Sequence, residues 1–311
     1  MNYLRNIKEL QEKYRFIAAE SFKSAESGTI HNVFLSKIYV IRFRQQDKDI
    51  LKRESELLKS LNHLLIPRVL ASGTIEDSFY IIENRLRGEN INLVWKNLSK
   101  NNQASICQSL IGFLKFLRKQ NKNEIFSIRY GKKYKNFYDY LVEDIEKKEA
   151  VIRKFPQAQK MLKRILKVLK DSEAKKVFLG ANKTLVHGDL IFHNLLTDGK
   201  TLTGTVDWER ALFGDPDYDI FRLMNFELDA KFYKEEGQDS EDETGYLKML
   251  LEEIRKSDLI QNNEIFAKKY EVAKASYYLN GLYWDARSET PQKNIEETLR
   301  EIGLKPKNKN I

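Results

Sequence analysis

The chain has 311 residues, 41% hydrophobic and 32% charged, with 54 Lys and Arg against 45 Asp and Glu for a formal net charge of +9. That length suits one two-lobed chain or two domains with ample core, and it shows no internal repeat or low-complexity tract. No apolar run approaches the roughly 20 residues that span a bilayer. A single cysteine, Cys107, excludes an internal disulfide, and four scattered histidines give no zinc spacing, so the composition favours a cytoplasmic protein with no membrane partner.

The N-terminus carries Leu4, Ile7, Leu10, Tyr14 and Ile17 at helical spacing, with no small-residue cleavage site after it. It reads as an amphipathic helix, not a signal peptide. Residues 21–90 read as a small β-rich region with one helix. Ser24 to Asn32 is polar and turn-prone around a single glycine, Gly28. Ile38 to Phe43 is rich in β-branched and aromatic residues and reads as a strand bearing Arg42, with Arg44 just beyond. Asp47 to Leu61 reads as a helix with Ile50, Leu51, Leu57, Leu58 and Leu61 on its apolar side, and it carries Glu54 and Glu56. Pro67 suits a turn into the next strand. Phe79 to Ile82 is a buried-strand pattern, followed by the polar run from Glu83 to Gly88.

The remainder is mostly helical in pattern, at 103–119, 136–148, 157–170, 216–228, 244–256, 262–286 and 291–302. Cys107 falls in the apolar stretch Ile106–Leu117 and reads as core. The lysine-rich segment 121–183 suggests no specific role. Within it, Lys160, Lys163, Arg164, Lys167 and Lys170 lie opposite Met161, Leu162, Ile165, Leu166 and Leu169, the pattern of a solvated face. The positive charge is thus interleaved with acidic neighbours, and no aromatic-basic module accompanies it, which argues against a nucleic-acid partner. One segment inverts the charge: Glu227 to Glu243 holds eight acidic residues, Glu235, Glu236 and Asp239 among them, against Lys231 and Lys234. Gly237 and Ser240 make it loop-like. Lys305 to Ile311 is polar and expected to fray.

The most informative stretch is Thr184 to Leu223, which holds His187, Asp189, Asn194 and Asp207. Thr184-Leu185-Val186 is a short apolar run, Asp198-Gly199 a turn signal, and Thr201 to Val206 a second strand that delivers Asp207. The base and both ligands would then sit at strand ends. The order is that of the protein-kinase catalytic loop, H-R-D-x-x-x-x-N followed by D-F-G, with Gly188 in place of the Arg and Asp207-Trp208-Glu209 in place of D-F-G. Transfer of a phosphoryl group to a hydroxyl needs a base, metal on the phosphate oxygens, and alignment. Asp189 is the candidate base. Asn194 and Asp207 are hard oxygen donors suited to Mg²⁺, and His187 holds the loop. Gly214-Asp215-Pro216 starts the next helix, with Pro216 near its first turn and Asp215 able to cap.

These residues resemble the aminoglycoside phosphotransferase and choline kinase superfamily, whose pattern is H-G-D-x-x-x-x-N, then D-W-E, then G-D-P-x-x-D. The chain matches it at His187, Gly188, Asp189, Asn194, Asp207, Trp208, Glu209, Gly214, Asp215, Pro216 and Asp219. Within the superfamily the hygromycin phosphotransferases look nearest, through Asn194–Asp198, Ala211–Asp215 and Tyr277–Tyr283. The resemblance implies an α+β, protein-kinase-like bilobal fold: a nucleotide-binding N-lobe over 1–87 with a hinge at 83–88, and a helical C-lobe over 88–311. It implies ATP, or GTP, as co-substrate with Mg²⁺. Gly28 would sit in the phosphate-covering loop, Arg42 would take the place of the usual strand lysine, and Glu54 would orient it. Asn84 and Leu86 would offer backbone groups to the base of the nucleotide. Asp219 would brace the catalytic loop. Glu209 would approach the second metal or the substrate, and Glu235, Glu236 and Asp239 would face a cationic small-molecule acceptor, aminoglycoside-type in the leading reading. The alternatives are a housekeeping kinase of choline, an amino alcohol or a sugar metabolite, with Trp208, Tyr283 and Trp284 as candidate members of an aromatic cage, or a non-catalytic nucleotide-binding pseudokinase. Protein kinase activity is disfavoured, since Gly214-Asp215-Pro216 follows Asp207 within seven residues and leaves no activation segment.

Overall fold

The computed structural model describes residues 3–25, 32–180, 183–229 and 240–301. The fold is α+β, and the chain divides into two compact units assembled from discontinuous segments. One comprises Met1–Leu98, Ser127–Lys132 and Phe192–Ala211; the other comprises Ser99–Phe126, Lys133–Ile191 and Leu212–Ile311.

The first unit is built on a five-stranded antiparallel sheet, in the order Lys23–Ser24, Asn32–Leu35, Tyr39–Arg44, Ser78–Asn84, Val69–Ile75. Side chains alternate across a strand, and the central strand shows the consequence. Ile41 and Phe43 face a cluster with Ile7 and Leu10 of the Tyr3–Lys13 helix. Arg42 points the other way, toward the helix Lys48–Ser60. That helix buries Ile50, Leu51, Leu57 and Leu58, and Glu54 lies in the same buried stripe. A buried carboxylate in such a stripe needs a cation to face it, and Arg42 supplies one.

The same unit holds a second sheet, in the order Leu202–Thr205, Leu195–Thr197, Glu89–Asn90. Asp198 closes the hairpin, its Oδ1 accepting from the Lys200 and Thr201 N–H groups at 2.9 and 2.8 Å. The opposite end is pinned where Thr205 N–H and Oγ1 both donate to Leu65 O, at 2.7 and 2.9 Å.

The second unit is mainly helical. Its core joins Phe137, Leu162, Ile165, Leu169, Leu279, Leu282 and Ile295. The long helix Asn263–Asp285 runs through it, capped by Asn262, whose Oδ1 accepts from Ile265 N–H at 2.9 Å. The expected helix at 136–148 is two pieces, Phe137–Leu141 and Ile145–Ile152, because Asp144 takes a left-handed backbone (φ 55°) between them. Lys160, Lys163, Arg164, Lys167 and Lys170 are exposed while Met161, Leu162, Ile165 and Leu169 are buried. Cys107 is core, and burial pushes its thiol up to about 12. None of the helices over the described residues is long and apolar enough to cross a membrane.

Candidate active site

In the helical unit, the strand Thr184–Val186 pairs antiparallel with Leu212–Gly214, Val186 opposite Leu212. It delivers the chain to His187, which is fully buried. Gly188 follows with φ 79°, a left-handed conformation that glycine takes without a Cβ clash. Asp219, in the first turn of the helix Tyr218–Asp229, reaches back to this bend. Its Oδ2 accepts from His187 N–H at 2.8 Å and its Oδ1 from Gly188 N–H at 2.9 Å. Burial pushes the Asp219 carboxyl up to about 6, against the pull of those two N–H groups and Arg222.

One helical turn after Asp219, Arg222 donates through Nη2 to Asp189 Oδ1 at 2.6 Å, and its guanidinium lies 5.3 Å from the Tyr277 ring centroid. The start of the helix is itself fixed. Asp215 Oδ1 accepts from Asp217 N–H at 3.0 Å, Lys269 Nζ lies 2.8 Å from Asp215 and 3.0 Å from Asp217, and Arg118 donates to Asp217 at 2.9 Å. Burial alone would lower Lys269, but the two aspartates outweigh it and raise its pKa. The candidate base is thus held by a helix that is anchored from below by buried ion pairs.

In the sheet-rich unit, Arg42 Nη2 donates to Glu54 Oε1 at 2.8 Å and lies 3.4 Å from Glu83 Oε2. Arg42 and Glu83 are largely buried and Glu54 is wholly so. Burial pulls the guanidinium down, but Glu54, Glu83 and then Asp207 hold it above its ordinary value, so it stays charged. The same Glu54 Oε1 accepts from Trp208 N–H at 3.3 Å. One carboxylate therefore ties the strand cation to the segment bearing Asp207.

Asn194 ends the turn Phe192–Asn194 and is buried. Its carbonyl accepts from Val206 N–H at 3.0 Å, so Asn194 and Asp207 flank the same end of the hairpin ladder that pairs Leu195 with Thr205. Asp207 has φ 64°, a backbone conformation uncommon outside glycine. Among the described residues no cluster of three or more His, Cys, Asp or Glu is arranged to hold a metal. Two oxygen donors nonetheless suit Mg²⁺, which takes one or two carboxylates and fills its shell with phosphate and water.

Three of the sequence expectations change. Glu209 does not offer its carboxylate to an acceptor: it is buried, with Oε2 on Arg44 Nη1 at 2.7 Å and Oε1 on Arg129 Nη1 at 2.5 Å. The Asn84 N–H is spent on Arg68 O at 3.1 Å and its Oδ1 accepts from Arg68 N–H, which withdraws its N–H, though not its C=O, from a nucleotide base. Trp208 is fully buried with Nε1 donating to Thr205 O at 3.1 Å, which removes it from any aromatic cage. Gly28, Glu235, Glu236 and Asp239 lie outside the described residues. The sequence reading missed Arg222, Arg129 and Glu83. Arg222 had a signal, because its spacing of three from Asp219 puts both on one helix face. Arg129 had none, being distant in sequence from its partner.

The sequence profile of the phosphotransferase enzyme family, APH, matches residues 21–251. The chain belongs to that family, and it is a phosphotransferase. A relative described as a probable aminoglycoside 3'-phosphotransferase, from Lactococcus lactis subsp. lactis (strain IL1403), is 22% identical over 222 residues, covering 70% of this chain and 81% of that protein. Among solved structures, a thermostable mutant of aminoglycoside phosphotransferase APH(4)-Ia in complex with ADP and hygromycin B superposes with a TM-score of 0.63 at 15% identity, covering 96% of this chain and 97% of that one. The gentamicin complex of APH(2″)-IIa gives 0.66 at 19% identity, covering 98% and 99%. These likenesses establish the kinase-like fold, and they do not single out the hygromycin subgroup.

Proposed function

We propose that the protein transfers the γ-phosphate of ATP or GTP to a hydroxyl of a small cationic acceptor of the aminoglycoside type. The observation that carries this reading is the two-point grip of Asp219 on the His187 and Gly188 N–H groups, with Arg222 on Asp189. A fully buried carboxylate spent on shaping a bend is costly to keep, and the bend presents one carboxylate, Asp189. In the proposed step Asp189 accepts the hydroxyl proton as the new O–P bond forms. The bond from the γ-phosphorus to the bridging oxygen breaks, and the nucleoside diphosphate leaves. Arg222 orients the carboxylate so that one face meets the hydroxyl.

The sheet-rich unit would hold the nucleotide. Arg42 would meet phosphate oxygens through its Nη1 end, the end that Glu54 and Glu83 do not take. Asn194 and Asp207 would hold Mg²⁺, which neutralises charge on the phosphate oxygens when bound. The hinge would read the base from the Asn84 C=O and the Leu86 backbone.

The acceptor class is supported by one helix face as well as by the relatives, which carry aminoglycosides in their names or complexes. Tyr277, Gly281 and Trp284 recur at helical spacing on Asn263–Asp285; Tyr277 lies against Arg222 and Trp284 is exposed. Among the described residues a Cβ at Gly281 would meet nothing within 4 Å, so they leave the face open between the two rings. Aromatic faces suit sugar rings and ammonium groups.

The test is phosphotransfer from ATP and from GTP across a panel of aminoglycosides and amino alcohols, with Asp189→Asn as control. Saturable transfer to an aminoglycoside, abolished in the variant, supports the reading. Transfer only to an amino alcohol or sugar metabolite would replace the acceptor, and retention of full activity in Asp189→Asn would remove the base.

A further inference from the structure

The chain places an acid two residues beyond Asp207, where it could serve as another metal ligand. Its surroundings give it a different task. Both oxygens of Glu209 are held by arginines: Oε2 by Arg44 and Oε1 by Arg129. Arg44 is as buried as Glu209, and it also donates through Nε to Gln46 O at 3.0 Å, so this half of the grip is part of the sheet. The other half comes from the short segment Ser127–Lys132, which the first unit contains although its neighbours in sequence do not. Arg53 of the Lys48–Ser60 helix fastens that segment by its backbone, donating to Ile128 O at 2.6 Å and to Arg129 O at 3.0 Å. The Ile128 N–H in turn donates to Ala211 O at 2.9 Å.

The residues around Asp207 are therefore fixed at every step. Trp208 N–H is on Glu54, Trp208 Nε1 is on Thr205, Glu209 is between two arginines, and Ala211 N–H is on Trp208 O at 3.0 Å. Asp207 is the residue in this run with a left-handed backbone. A non-glycine residue there costs roughly 1–2 kcal/mol and persists when its surroundings over-determine it.

We propose that Arg44, Glu209 and Arg129 form a clamp that positions Asp207, and that Glu209 is a positioning residue and not a metal ligand. The clamp holds the backbone of the D-W-E segment in its strained form, and so aims the Asp207 carboxylate. This inference rests on the proposed metal role of Asp207.

The two roles for Glu209 predict opposite signs for a substitution at Arg129. If Glu209 bound metal, Arg129→Met would free an oxygen and tighten metal binding, while Glu209→Gln would weaken it. As a clamp, both substitutions weaken it, and the double variant is no worse than the weaker single. The measurement is Mn²⁺ titration followed by electron paramagnetic resonance, with a non-hydrolysable ATP analogue present, on the full chain. Arg129→Met is the informative variant, because the Arg44–Glu209 pair survives and thermal melting reports whether the fold does. Arg129→Lys is the rescue variant. The expected result is Mn²⁺ affinity about 10-fold weaker in Arg129→Met and in Glu209→Gln, typical of losing a residue that orients a ligand, no further loss in the double variant, and near-normal binding in Arg129→Lys. Unchanged or tighter Mn²⁺ binding in Arg129→Met, or additive losses, overturns the clamp while leaving the metal site intact. Absence of Mn²⁺ binding in the unsubstituted protein overturns the metal reading itself, and the clamp with it.

Discussion

Asp219→Asn separates positioning from stability. The wild-type carboxylate gives one oxygen to each of two backbone N–H groups, at 2.8 and 2.9 Å. Asparagine keeps one acceptor and turns the other into an NH₂ facing an N–H. One hydrogen bond to a charged group, worth about 1.5–3 kcal/mol, is lost. If that energy holds the bend bearing Asp189, kcat should fall roughly 10- to 100-fold. Stability behaves differently. Burial raises the Asp219 pKa from 3.8 to about 6. Between those values the folded state holds a proton that the unfolded state has released, so stability falls as pH rises from about 4 to 6 and levels off above. Two pKa units amount to about 3 kcal/mol. Asparagine does not titrate, so this cost disappears and offsets the lost bond. The expected signature is a large loss of kcat, a midpoint of urea unfolding at pH 7 that scarcely moves, and a flatter stability profile between pH 4 and 6. Paired kinetics and urea titrations across that range decide it. A variant with near-normal kcat and the wild-type pH slope would refute the brace.

Arg222→Met should lower kcat about 10-fold with little change in nucleotide KM, because it disorients Asp189 and is not among the residues proposed to meet phosphate; steady-state kinetics against both substrates check this. Trp284→Ala should raise the acceptor KM about 5-fold, equivalent to one exposed cation–aromatic contact, and leave nucleotide KM and melting temperature unchanged. Gly88→Ala should destabilise the sheet-rich unit by about 2 kcal/mol or more. Its φ is 110° and a Cβ would lie 2.6 Å from the Thr197 carbonyl oxygen, a backbone atom that cannot swing aside; denaturant unfolding measures the loss.

What could be read from the residues was whatever is local. The strand ending at Val186, the helix of Glu54 and the start of the helix bearing Asp219 all follow from periodicity, caps and turn residues within a few positions. The run from His187 to Asp219 could be recognised because its chemistry is packed into one stretch of chain. Long-range charge pairing was not accessible in this way. Glu209 looked available because its two partners, Arg44 and Arg129, are 165 and 80 residues away. Glu83 depended on strand register. The sheet aligns Arg42 opposite Ile81, so Glu83, two residues along on the same face, falls diagonal to the cation, and a shift of one residue would have turned it away. Trp208 looked like a candidate cage member by type, but its indole N–H found a partner inside the hairpin instead.

That register also explains why an arginine stands on the central strand. A lysine is a compact point charge whose three donors all radiate from one nitrogen. Here the cation faces two buried acids, Glu54 and Glu83, with Asp207 adding to the negative field. A guanidinium spreads five donors over a plane, so Nη2 can donate to both acids, with Nε 3.4 Å from Glu83, while Nη1 remains for an anion. Arg42→Lys is therefore not a conservative change in this chain. The shorter reach and single head group would leave one of the two acids underpaired in a buried site, at a cost of about 1–3 kcal/mol. The compensating change is Glu83→Gln, which removes the second acid. If the reasoning is right, Arg42→Lys alone lowers both the unfolding midpoint and nucleotide affinity, and Arg42→Lys with Glu83→Gln recovers a substantial part of each. Equal losses in the single and double variants would show that Glu83 is not what selects arginine at this position.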